Sequence, residues 1–145
     1  METIKIKYFG DYSEECKLLK IEKGDWIDLW TAEDVELCAM DYKRIKLGVG
    51  MILPEGYEAI VVPRSSTFEK WGIIQANQLG VIDSSYSGNE DEWHFPALAF
   101  KDVYIPKGTR IAQFRIQKKM PEIKFEEVEK LNEISRGGFG STGTN

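Results

Sequence analysis

Four stretches of this 145-residue sequence carry side chains suited to handling phosphate. The run Arg136-Gly137-Gly138-Phe139-Gly140-Ser141-Thr142-Gly143-Thr144-Asn145 sets one cation, one aromatic ring and a row of hydroxyls among four glycines. Glycines lose so much backbone entropy on ordering that such a segment holds neither helix nor strand alone, so an outside partner has to supply the ordering energy. Arg136 can fork onto phosphate, Ser141 and Thr142 can donate to it, and Phe139 can cover a flat base. A disordered terminus is the alternative reading, and it gives Arg136 and Phe139 no purpose.

Pro63-Arg64-Ser65-Ser66 follows the apolar run from Ala59 to Val62. The serines can cap a short helix, and a guanidinium with two hydroxyls and helix-start amides also composes an anion site. In Gly80-Val81-Ile82-Asp83-Ser84-Ser85-Tyr86-Ser87-Gly88 a carboxylate ends an apolar run. It is either a turn residue or a general base that deprotonates a water beside a phosphate. In Gly108-Thr109-Arg110-Ile111-Ala112-Gln113, period two sends Ala112, Phe114 and Ile116 to one face and Gln113 with Arg115 to the other. Gln113 is then a solvated strand residue or a donor to a phosphate oxygen or a water.

Competing motifs fail on their surroundings. Gly138-Phe139-Gly140-Ser141-Thr142-Gly143 has the G-x-G-x-x-G spacing of a dinucleotide loop, which works only between a strand and a helix, and no helix is expected in the two residues after Gly143. The sequence holds no G-x-x-x-x-G-K-[ST] loop, and no serine lies in a G-x-S-x-G elbow for His94, the only histidine, to activate. A net charge of −5 speaks against a broad nucleic-acid surface. It leaves room for a small anion gathered by a local cluster.

The elements that must position these groups read as strands. Apolar residues alternate in Ile4-Lys5-Ile6-Lys7-Tyr8, Tyr57-Glu58-Ala59-Ile60-Val61 and Ala112-Gln113-Phe114-Arg115-Ile116-Gln117. Turn signals at Leu53-Pro54-Glu55-Gly56, Ser87-Gly88-Asn89 and Ile105-Pro106-Lys107-Gly108 separate the runs. The expected fold is all-β, an antiparallel sandwich or jelly-roll-like barrel with a flexible glycine-rich C-terminal arm. One short helix is expected from Ser65 to Trp71, and a last strand and linker over 122–135. Residues 1–135 then form one β domain and 136–145 an arm. With 42% hydrophobic and 30% charged residues the composition is that of a soluble protein, and the longest apolar run, Leu47 to Leu53, is too short for a membrane helix. Met1 to Lys7 lacks the features of a secretory signal, so a cytoplasmic protein is expected, with Cys16 and Cys38 as reduced thiols.

In order and approximate spacing, the four stretches resemble the motifs of the trimeric dUTPases, from about Asp28 to Gly143. The resemblance implies Mg²⁺-dependent hydrolysis of dUTP to dUMP and pyrophosphate, which keeps uracil out of DNA and supplies dUMP for thymidylate synthesis. It implies that Asp83 activates the water attacking the α-phosphorus. Ser65 and Ser66 would contact the α and β phosphates with Arg64 holding the cluster, and Gln113 would hold an α-phosphate oxygen or the water. Asn77 and the backbone through Gly80 to Ile82 would form a uracil-reading hairpin, while Tyr86 against the deoxyribose would turn away UTP. Arg136, Phe139, Gly140, Ser141 and Thr142 would close over phosphates and base. Asp28 would steady water around the magnesium, and the sites would be shared between subunits of a homotrimer.

This sequence departs from the family pattern in several places. The usual Ala-Gly before Asp28 is absent, and Arg136-Gly137-Gly138-Phe139 is two residues shorter than the usual R-G-x-G-G-F. Ser85 stands where a second acidic residue is common. Asn89-Glu90-Asp91-Glu92-Trp93-His94-Phe95 looks like an insertion, whose Trp93 or Phe95 could join the core or form a lid over uracil with Phe139 or in its place. Two alternatives share the fold: a dCTP deaminase-related enzyme, and a nucleotide-binding regulatory or interaction module.

Overall fold

The structure is a computed structural model that describes residues 1–18 and 23–143, so Thr144 and Asn145 of the expected arm lie outside the described residues. In chain order it contains β1 (Lys5–Tyr8), a 3-10 turn (Glu14–Cys16), β2 (Ile27–Trp30), β3 (Val35–Leu37), β4 (Tyr42–Lys46), β5 (Val49–Ile52) and β6 (Tyr57–Pro63). Then come α1 (Thr67–Trp71), β7 (Ile73–Gln75), β8 (Gly80–Ile82), β9 (His94–Ala99), β10 (Val103–Ile105) and β11 (Arg110–Lys118). The described ladders are all antiparallel, in sheets ordered β2-β11-β6-β8, β4-β9-β7, β1-β5 and β10-β3. Cys16 is buried, Cys38 is exposed, and both are free thiols.

The alternation read in the sequence becomes the inner faces of these sheets. Ala59 and Val61 of β6, Phe114 of β11 and Leu29 of β2 are buried, and they meet Ile45 of β4 and Phe95 and Ala97 of β9 in one apolar cluster. Trp93 and Phe114 pack edge to face at 5.2 Å. Trp93 and Phe95 are both 0% exposed, which overturns the expectation that either ring lids a base. The insertion's aromatics are core, and the acidic residues before them make the surface turn that delivers them there.

Two other expectations change. The helix is shorter than Ser65–Trp71: Ser66 occupies the cap position in a helical conformation and makes no side-chain cap bond. Gly72 ends the helix at φ 64°, its amide donating to Phe68 O at 2.8 Å. The strand foreseen over 122–135 does not form, because Ile123, Phe125 and Val128 find no partner strand among the described residues and stay exposed.

β11 carries a bulge. Arg110 pairs with Trp30 and Ala112 with Leu29, so Ile111 is the extra residue, and Ile111 and Ala112 are both buried. Strict alternation would send Arg110 and Gln113 to opposite faces. The bulge returns them to one face, with Gln113 opposite Asp28 on one side and Val62 on the other.

A core role for Trp93 has a measurable consequence. Trp93→Ala is expected to lower the unfolding free energy by about 3–5 kcal/mol in a denaturant titration at fixed protein concentration, whereas Phe139→Ala, at an exposed ring, leaves it unchanged. A Trp93→Ala protein of native stability would remove this ring from the core.

Candidate functional site

At the C-terminal end of β6 the central strands gather several of the residues expected at the phosphates. Asp28 projects from β2 opposite Gln113, and its two oxygens each meet a guanidinium: Arg64 Nε to Oδ1 at 3.3 Å and Arg110 Nη1 to Oδ2 at 3.1 Å. One carboxylate between two permanent cations leaves the cluster with surplus positive charge, suited to a polyanion. Trp30 carries the Arg110 guanidinium over its ring at 5.2 Å, which further limits where that side chain points. Gln113 Nε2 donates to Pro63 O at 3.1 Å. Its amide carbonyl is left for another donor.

Ser65 and Ser66 extend from a turn fixed by its neighbour. Thr67, 1% exposed, accepts from Arg64 N at 3.0 Å and donates to Ile111 O at 2.7 Å. Thr67 thus ties the turn to β11 and does not cap the helix, which has no side-chain cap bond from Ser66, and the hydrogen bonds among the described residues engage neither serine hydroxyl. The sequence reading passed over Thr67 because a threonine at a helix start has many structural uses. Arg110 was read only as part of a string, because the bulge that turns it toward Asp28 is not visible in alternation.

The second group lies at the other end of β6. β8 pairs with β6 through Val61 to Gly80 and Ala59 to Ile82, and a Cβ at Gly80 would stand 3.2 Å from that of Val61, a tight approach that a larger residue would have to relieve by a small shift. The stretch from Asn77 is not a two-stranded hairpin, since β7 pairs with β9 and β8 with β6. It is a tight turn between sheets, with Gln78 at φ 62° and its amide donating to Gln75 O at 2.9 Å. β8 is the edge strand of its sheet, so one row of its backbone donors and acceptors remains open to a planar ligand.

Asp83 follows Ile82 directly. Its Oδ1 accepts from Ser85 Oγ at 2.6 Å and Ser85 N at 2.8 Å. These two bonds, the hydroxyl first, with help from the Lys119 charge, hold the carboxyl below the usual carboxylate range, so it is ionised at neutral pH. Tyr86 donates its hydroxyl to Glu92 O at 2.7 Å, which sets the ring against the 88–92 turn. Partial burial, then Asp91 and Glu92, push its phenol up.

These two groups do not meet within one chain. By register Asp83 falls opposite Glu58, while Arg64, just past the end of β6, is six residues further along, a separation of about 20 Å at the strand rise. The arm stands apart from both. Its Arg136, Phe139, Gly140, Ser141 and Thr142 are exposed, and local turns shape it, such as Ser141 N to Gly138 O at 3.1 Å.

The dUTPase family model matches residues 26–143. The SPbeta prophage-derived deoxyuridine 5'-triphosphate nucleotidohydrolase YosS of Bacillus subtilis is 55% identical over 97% of this chain and 98% of its own length. Among solved structures, the Staphylococcus bacteriophage 80alpha dUTPase with dUPNHPP superposes with a TM-score of 0.76 at 24% identity, covering 98% of this chain and 99% of its own. A mutant dUTPase from phage phi11 of S. aureus, described with a structural Mg(II) ion, does so with a TM-score of 0.70 at 19% identity, covering 88% and 97%. These likenesses establish the jelly-roll-like fold.

Thr67 offers a direct check on how the serines are held. Thr67→Val keeps the shape and removes both hydroxyl bonds, and should cost about 1–3 kcal/mol of stability while speeding amide exchange at Arg64 and Thr67. Exchange at the native rate would show that the turn does not depend on this hydroxyl.

Proposed function

This chain belongs to the dUTPase family, and from that premise we propose how it hydrolyses dUTP to dUMP and pyrophosphate. Asp83 is the general base. Ionised at neutral pH, it takes a proton from a water whose oxygen forms a bond to the α-phosphorus. The bond from that phosphorus to the oxygen bridging toward the β-phosphate breaks, and pyrophosphate leaves. Ser65 and Ser66 donate to the α and β phosphates, Arg64 with Arg110 gathers their charge, and Gln113 holds an α-phosphate oxygen or the water.

Uracil is read by the turn at Asn77 and the open edge of Gly80–Ile82, where fixed donors and acceptors would be left unpaired by cytosine and a 5-methyl would clash. The Tyr86 ring lies against the deoxyribose and excludes a 2′-hydroxyl. Phe139, whose ring is exposed, covers the base, and Arg136, Gly140, Ser141 and Thr142 close over the outer phosphates. The β domain and the arm, 136–145, are thus separate working parts.

Mg²⁺ fits the residues present. Each Asp28 oxygen takes one guanidinium and keeps a further lone pair, enough to hold a metal-bound water, and this ion keeps its waters and takes phosphate oxygens from its substrate. When bound, it neutralises charge along the triphosphate. Asp28 also restrains both arginines, a second role its geometry supports.

The observation that carries the rest of the reading is the register that separates Asp83 and Tyr86 from Arg64 to Ser66 along β6. A substrate whose α-phosphorus needs both groups is served when a second copy supplies one of them and the arm comes from a third. The homotrimer with shared sites that the resemblance implies accords with this register. The product, dUMP, feeds thymidylate synthesis, and removal of dUTP keeps uracil out of DNA.

Pyrophosphate release should be seen with dUTP and not with UTP, dTTP or dCTP, and should require Mg²⁺. Asp83→Asn should lower turnover about 10²–10⁴-fold with nucleotide binding retained; ammonia release from dCTP would instead reveal a deaminase. Site sharing has its own assay. Asp83→Asn and the Ser65→Ala, Ser66→Ala double variant, each inactive, should regain activity when co-refolded, because a mixed assembly contains sites with both intact halves. No recovery would place the whole site in one chain. Removing residues 136–145 should cripple turnover without changing the assembly's size, and a fully active truncation would exclude the arm.

A further inference from the structure

Both hydrogen bonds that the Asp83 carboxylate receives among the described residues fall on one oxygen. Ser85 Oγ and Ser85 N lie 2.6 and 2.8 Å from Oδ1, and Oδ2 takes neither. We propose that Ser85 is a positioning residue for Asp83, its hydroxyl and amide fixing Oδ1 so that Oδ2 alone is presented to the attacking water.

A carboxylate turns about its last torsion in a broad well, so its two oxygens compete for the same water unless one is engaged. The two donors of Ser85 close that choice. The turn itself does not rest on the hydroxyl: Tyr86 N donates to Asp83 O at 2.9 Å and Asp91 Oδ2 accepts from Gly88 N at 2.8 Å. Ser85 is exposed, so loss of its Oγ strands no buried group. An ionised acid at this position could only accept, and it would add a like charge beside the base. Serine thus favours the ionised form of Asp83, where a neighbouring carboxylate would oppose it. The charge that reaches Asp83 from another element is Lys119, just past β11, and in register Glu58 of β6 is the residue next to the partner of Ile82. On its own loop Asp91 and Glu92 act on Tyr86.

This inference rests on Asp83 being the base, and the test separates the two. Steady-state dUTP hydrolysis is followed against pH for the full chain, Ser85→Ala, Ser85→Thr, Ser85→Asp and Asp83→Asn, with thermal melting as the check on folding. Ser85→Ala should lower kcat about 10-fold with KM little changed, and should move the acid limb of kcat to higher pH, since a carboxyl that loses a donor titrates higher. Ser85→Asp should move that limb further, and Ser85→Thr, which keeps the hydroxyl, should restore both readouts. Native kcat and an unmoved acid limb in Ser85→Ala, beside an inactive Asp83→Asn, would overturn the positioning role and leave the base standing. An active Asp83→Asn would remove the base itself. A melting point lowered in Ser85→Ala with an unmoved limb would reduce Ser85 to a structural residue.

Discussion

The antiparallel register of β6 is the constraint from which the rest of the molecule follows. β6 lies between β11 and β8, so whatever follows its last residue is delivered beside Asp28 and Gln113, and whatever follows β8 is delivered beside its first. Two chemically complementary sets of side chains are therefore held on rigid strands at fixed distance. Neither set can drift toward the other without breaking ladder hydrogen bonds, and a buried strand does not slide: a slip of one residue would turn Ala59, Val61 and Phe114 out of the core. Rigidity that keeps the halves apart in one chain also preorganises each half for a ligand that joins them.

Charge explains why the phosphate half can stay assembled when no anion is bound. Arg64 and Arg110 on one face would repel each other, and Asp28 between them cancels that repulsion while leaving the pair cationic overall. These side chains remain partly solvated, so the ion pairs add little to stability. Their value is directional. Trp30 under Arg110 and the backbone bond at Arg64 N restrict where the guanidinium groups can go, which reduces the ordering a triphosphate must otherwise impose.

Which parts of this were legible in the sequence depends on how local the physics is. β6 and β11 were readable because their alternation is a property of adjacent residues, and Gln113 was correctly sent away from the apolar face. Trp93 was ambiguous, since an aromatic after an acidic run suits a surface lid as well as a core, and only packing against Phe114 decides. The bulge at Ile111 was not legible because two successive apolar residues, Ile111 and Ala112, do not reveal that both turn inward, and with it went the meaning of Arg110. Ser85 was noted as a departure without a role, because a donor two residues after a carboxylate acquires meaning only when the turn brings them to 2.6 Å.

The misread strand at 122–135 carries a physical lesson of its own. Its periodic apolar residues were read as a strand because they are patterned to be buried, yet Phe125 is 95% exposed, Leu131 89% and Ile134 89%. Burying three such side chains is worth about 1.5–3 kcal/mol each, a term the single chain forgoes. A segment patterned for burial and left in solvent needs a surface outside its own domain. In the homotrimer proposed above, a neighbouring copy would offer that surface, and a segment laid across it would carry the arm beyond residue 135 toward that copy's nucleotide. The apolar stretch and the glycine-rich arm would then act together, hydrophobic anchoring supplying reach while the glycines keep the freedom to close.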